Sequence, residues 1–202
     1  MLTLRFDGLY RCLSEDCAEN ERGRYPAQAG VMCYGWLIYQ DNRLIARGHG
    51  GYIRRVEASS NIAEYLALIE GLEAVLDMGL AREAIEIIGD ARSVIDQMVG
   101  RAAVNAAATR PLFQKAQRLA RRCPSLTWTW TPRRKNRAAD LLTRRAIRQI
   151  RANPEAYRAA VQWAERNANP QRQQNELRPL LNLRVFQPAG MPMEELFFQT
   201  RP

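Results

Sequence analysis

The chain predicts an α/β domain, a five-stranded mixed sheet flanked by helices, followed by a C-terminal helical and irregular extension. Three observations lead there. Leu2, Leu4 and Phe6 alternate with polar residues, the period of a half-buried strand, and aromatic and β-branched runs at 29–40 and 43–53 flank a turn signal. Apolar residues recur at helical spacing from Ile62 onward. Strand and helix patterns then take turns up to residue 150, which places helices over a sheet.

Residues 1–10 form the first predicted strand, with Leu2, Leu4 and Phe6 alternating against Thr3, Arg5 and Asp7. Residues 11–28 are polar, with Gly23 and Pro26, and read as a loop. The aromatic and β-branched run 29–40 and the run 43–53 pair as a hairpin around Asp41 and Asn42. Residues 59–80 carry Ile62, Tyr65, Leu66, Ile69, Leu72, Val75 and Leu76 on one helical face, with Ser60 or Asn61 as the cap and Gly79 as the stop. A short strand at 84–88 ends at Gly89, and a short helix at 91–100 ends at Gly100. A basic helix at 109–123 stops before Pro124, a strand at 126–131 meets Pro132, and a helix covers 136–151. The domain is expected over residues 1–150 and the extension over 151–202. The extension holds a helix at 153–167, begun by Pro154, and then a largely irregular tail with short apolar contacts at 180–186.

The chain carries 30 Lys and Arg against 21 Asp and Glu, a net charge of +9. Nearly all the basic residues are Arg, whose planar fork suits phosphate. A basic surface points to nucleic acid before any other polyanion. Residues 110–151 hold thirteen bases and a single acid, Asp140. The four cysteines, Cys12, Cys17, Cys33 and Cys123, lack the spacing of a zinc site and read as free thiols, with a Cys12–Cys17 bridge as the oxidised alternative. No apolar run reaches membrane-spanning length, and Arg5 and Asp7 interrupt any signal-peptide core, so a cytoplasmic protein without a membrane partner is expected.

Four acids sit where elements meet loops: Asp7 before Gly8, Glu64 in the first turn of the long helix, Asp90 after Gly89, and Asp140 early in the last helix of the domain. Each has a structural alternative. Glu64 can answer a helix dipole, Asp90 can cap a turn, and Asp140 can pair with Arg137 or Arg144 on its own helix. Asp7 is harder to explain that way, because an apolar strand gives a carboxylate no partner. Packed together, the four would repel one another unless a hard divalent cation took them as oxygen ligands. Two such ions about 4 Å apart can clamp a phosphodiester.

The segments "FDG", "SSNIAEYLALIEGLEAVLDMGL", "IIGDARSVIDQMVG" and "WTPRRKNRAADLLTRRAI" resemble, in order, the four motif regions of the type 1 ribonuclease H family, in its compact archaeal-like branch. The resemblance covers residues 1–150. It implies an RNase H-like fold and an endoribonuclease that cuts the RNA strand of RNA–DNA hybrids with two Mg2+ or Mn2+ ions, leaving 5′-phosphate and 3′-hydroxyl ends. Double-stranded RNA is a second substrate in that branch; no small-molecule cofactor is implied. Asp7 would bridge both ions, Asp140 would complete the water-activating one, and Glu64 and Asp90 the one facing the leaving oxygen. Gly8 would let the RNA backbone approach, Asn61 would read the minor groove, and Arg133 and Asn136 would contact nucleic acid. Ser60 stands where the family usually has Asn, beside that groove contact. The alternatives are a silent RNase H-like module that binds without cutting, or a scaffold whose tail docks a partner through "MEELFF" (193–198).

Overall fold

The structure, a computed structural model, describes residues 1–13, 29–54, 57–166 and 177–186. Of the loop expected at 11–28, Arg11 and Cys12 belong instead to the first strand, and residues 14–28, with Cys17, lie outside the described residues, as does the "MEELFF" segment.

The strands are β1 (Leu2–Cys12), β2 (Gly30–Gln40), β3 (Arg43–Arg54), β4 (Ile85–Gly89), β5 (Leu126–Trp130) and β6 (Arg178–Phe186). The helices are α1 (Ser60–Asp77), α2 (Arg92–Met98), α3 (Arg110–Ala120), α4 (Arg137–Arg151) and α5 (Pro154–Arg166). A 3-10 turn at Arg133–Lys135 leads into α4. The six strands form one mixed sheet in the order β5-β4-β1-β2-β3-β6. β1, β2 and β3 form an antiparallel meander, and β4 and β5 run parallel to β1 on its other side.

The turn between β2 and β3 places Asp41 and Asn42 at φ 49° and 68°. Both residue types tolerate the left-handed region, and that hand matches the twist of a two-residue hairpin. The cap of α1 is one residue earlier than expected: the Ser59 hydroxyl, not Ser60 or Asn61, accepts the Ile62 amide at 3.3 Å. Leu4, Phe6, Tyr34, Trp36, Tyr65, Leu68 and Leu72 fill the layer between the sheet and α1. Ile53, Cys33, Ala146, Ile147 and Ile150 fill the other layer, beneath α4, with Ala160 and Ala164 of α5.

The expectation of five strands is corrected to six. Strand β6 lies in the tail read as largely irregular, and it pairs antiparallel with β3. Its Arg184 reaches under α1 and meets Glu70 at 2.9 Å, Glu73 at 3.3 Å and Asp77 at 2.7 Å. Residues 153–167 do contain a helix, α5. Arg178 of β6 lies over the Trp163 ring of α5, 5.4 Å from its centroid. Cys33 and Cys123 are free, buried thiols, as expected, whereas Cys12 is disulfide-bonded.

Candidate active site

Asp7 sits in the middle of the sheet, 1% exposed. Phe6 and Gly8, its neighbours, face α1, while Asp7 faces α4, where the Thr143 hydroxyl lies 3.3 Å from its Oδ2. Two glycines let the flanking helices close onto this point. A Cβ on Gly8 would fall on the backbone of Ala63 and Glu64, so its bare face is what seats α1. Gly35 is opposite Asp7 on β2, and a Cβ there would come 2.8 Å from the Ala139 carbonyl and 2.7 Å from Leu142 Cβ in α4. The glycine is thus required by the packing of α1, whether or not an RNA backbone also approaches its main chain.

Asp7, Glu64 and Asp90 each offer a carboxylate oxygen, and these oxygens all lie within 4.8 Å of one another. Asp90 follows β4, the parallel neighbour of β1, and Glu64 comes from the start of α1. Burial, then the Asp90 charge, push the Asp7 carboxyl up to about 7, with Arg133 pulling the other way. Burial, then Asp7 and Asp90, hold Glu64 well above the usual carboxylate range; the Gly8 amide and Arg133 oppose that rise. Glu64 Oε2 is buried with no hydrogen-bond partner. Three converging carboxylates, one with an orphaned buried oxygen, fit a hard divalent cation, whose charge would relieve their repulsion.

Asp140 stands beside this trio but outside it. Arg133 Nη2 donates to its Oδ1 at 2.7 Å, and Arg144 Nε donates to its Oδ2 at 2.7 Å. Burial pushes its carboxyl up, but the hydrogen bonds from Arg144 and Arg133 outweigh it and hold it below the ordinary value. The i,i+4 pairing with Arg144 that the sequence allowed is therefore formed.

The expected nucleic-acid contacts divide. Ser60 is exposed at the head of α1, and Asn61 is half-buried, with the Ser93 hydroxyl donating to its Oδ1 at 3.1 Å. Arg133 is exposed along most of its side chain. Asn136 is corrected. It is 1% exposed, and its Nδ2 donates to the Phe6 carbonyl at 2.8 Å and to Asp90 Oδ1 at 2.9 Å, so it braces the site from within. Sequence reasoning did not single out Thr143 or Trp130. Trp130 donates from Nε1 to the Asp90 carbonyl at 3.0 Å and carries Arg92 4.9 Å from its ring centroid. The only prior signal was that both lie in the segment "WTPRRKNRAADLLTRRAI".

A mixed sheet in this order, with acids from β1, β4 and α1 converging at its middle, defines an RNase H-like domain. The family model described as "Reverse transcriptase-like" matches residues 22–146, more than half of the chain. The bifunctional protein Rv2228c of Mycobacterium tuberculosis is 34% identical over 113 residues, covering 56% of this chain and 28% of its own length. The chain therefore spans little more than a quarter of that relative. The crystal structure of RNase H1 from Halobacterium salinarum is 30% identical, with a TM-score of 0.57, covering 73% of this chain and 98% of that one. The structure of LC11-RNase H1 in complex with an RNA/DNA hybrid shares the fold at 24% identity and TM-score 0.59, covering 74% and 98% of the two chains. This chain belongs to the type 1 ribonuclease H family.

Proposed function

We propose that the chain hydrolyses the RNA strand of RNA–DNA hybrids in a reaction that depends on two Mg2+ or Mn2+ ions, leaving 5′-phosphate and 3′-hydroxyl ends. The observation that carries the reading is the convergence of the Asp7, Glu64 and Asp90 oxygens within 4.8 Å. Family membership and the basic surface support it.

Asp7, Glu64 and Asp90 would hold the cations, with Asp140 as the fourth ligand. Bound there, such ions supply positive charge that lowers the pKa of an attacking water and stabilises a departing 3′ oxygen. Asn136 fixes the Asp90 carboxylate by tying it to the β1 backbone. Thr143 gives its one hydroxyl proton to the Asp140 carbonyl at 2.8 Å, which leaves its oxygen, 3.3 Å from Asp7 Oδ2, to accept from the Asp7 carboxyl when that is protonated. Asn61, held by Ser93, presents its amide toward a minor groove, where 2′-hydroxyls distinguish RNA from DNA. Arg133, exposed at the rim, binds a phosphate of the duplex.

The test incubates labelled RNA–DNA hybrid, double-stranded RNA and double-stranded DNA with Mg2+, Mn2+ or EDTA. We expect the RNA strand of the hybrid to be cut with either metal, EDTA to stop it, and double-stranded DNA to stay intact. Cutting of double-stranded RNA would extend the substrate range. Hybrid binding without cutting in either metal would sink the hydrolase reading in favour of a silent module.

A further inference from the structure

The four acids are not in equivalent states. Asp7, Glu64 and Asp90 face one another and form no ion pair among the described residues, whereas both oxygens of Asp140 are engaged by arginine. Arg133 Nη2 occupies Oδ1 at 2.7 Å; Arg144 occupies Oδ2 at 2.7 Å through Nε and reaches Oδ1 at 3.5 Å through Nη2. Together the two guanidiniums take up two or three of the four acceptor sites of the carboxylate and put positive charge beside the acid trio, which a cation would have to displace or tolerate. The carboxylate is only 15% exposed, but the arginine side chains are 61% and 54% exposed. Such exposed pairs contribute little net stability and exchange readily. A phosphate offers the same fork geometry with more negative charge, so it competes well for either guanidinium.

We propose that Arg144, together with Arg133, is a positioning residue that latches Asp140 away from the cation site until a substrate phosphate draws the guanidinium off. This rests on the metal-dependent hydrolase reading above. Without nucleic acid the chain would then hold one divalent ion tightly, on Asp7, Glu64 and Asp90. The second would bind well only after Asp140 is released. Arg144 is the part of the latch most open to test, because it sits one turn beyond Asp140 on α4, and its removal frees Oδ2 without touching the acid trio.

The test counts bound Mn2+ by electron paramagnetic resonance on the full chain, without nucleic acid. Wild type should show one tight ion and one weak one. Arg144→Ala should tighten the weak ion by about fivefold, the worth of a surface ion pair. Arg144→Gln should do the same, which separates lost charge from lost bulk, and Arg144→Lys should stay close to wild type. A merely structural surface pair would move none of these numbers. Unchanged Mn2+ binding in Arg144→Ala and Arg144→Gln, in a protein that still cuts hybrid, would overturn the latch and leave the hydrolase reading standing. Two equally tight ions in the wild type would also overturn it. No Mn2+ binding by any variant would overturn the latch and the hydrolase reading together.

Discussion

Replacing Asp7 by Asn should abolish cleavage and yet stabilise the metal-free protein. The Asp7 carboxyl rises from 3.8 to about 7 on folding, because the site is buried and faces Asp90. The folded state therefore holds this proton more tightly than the unfolded chain. Between pH 4 and 7 the folded form binds more protons, so stability falls as pH rises through that window. The contribution is complete below the unfolded pKa and gone above the folded one. At about 1.4 kcal/mol per pKa unit, three units correspond to about 4 kcal/mol at pH 8. Relaxation of Glu64 and Asp90 once Asp7 is charged reduces this, so we expect Asp7→Asn to gain about 2–4 kcal/mol at pH 8 and little at pH 4. Urea denaturation in EDTA at both pH values measures it. Adding Mg2+ should narrow the gap at pH 8, since a cation held on the acid trio would stabilise the wild type by binding the folded form alone. Equal stability of the two proteins at pH 8 in EDTA, or a less stable variant, would refute the reasoning.

Three further outcomes follow from the packing. Arg184→Met leaves the buried Glu70 carboxylate, among the described residues, with the Tyr52 hydroxyl at 2.6 Å as its one side-chain partner, and should cost about 1–3 kcal/mol in urea denaturation; an unchanged midpoint would mean that β6 does not brace α1. Gly35→Val drives a side chain into the Ala139 carbonyl and Leu142, so it should lower thermal stability by about 1–3 kcal/mol and impair cleavage by lifting α4. Asn136→Ala removes both donors from Nδ2 and should cost about 1–3 kcal/mol and weaken Mn2+ binding, read by paramagnetic resonance.

Local pattern carried most of the domain. The Ile62–Leu76 stripe identified α1, and the Asp41–Asn42 pair identified the hairpin, because both are decided by residues close in sequence. Strand β6 was missed for the opposite reason. "RPLLNLRVF" starts with Arg178 and Pro179, lacks strict alternation and lies in a polar stretch, and its partner β3 is more than a hundred residues earlier. Nothing local rewards that pairing; the reward is the β3 edge and the acids of α1 that Arg184 meets. In the site, the identity of the acids was legible because Asp7 violates the pattern around it. Their arrangement was not. The amide of Asn136 could as well have faced solvent, and only the fold turns it inward to Phe6 and Asp90.

The same logic explains why so much small and buried material surrounds so few charges. A carboxylate in the middle of a sheet costs free energy in the metal-free state, and this chain accepts that cost by closing two helices onto Asp7 through Gly8 and Gly35. Close approach brings Glu64 within reach of Asp7, and it also deepens the burial that pushes both carboxyls upward. A looser site would be more stable without cations but would hold them less well, since its ligands would stand apart and their repulsion would be screened by water. Asp140 escapes that cost by a different route. It lies toward the rim, where Arg133 and Arg144 neutralise it. Three acids are thus kept close against their mutual repulsion, which a cation would relieve, while the fourth is held by arginines that, on the proposal above, a nucleic-acid backbone would draw away.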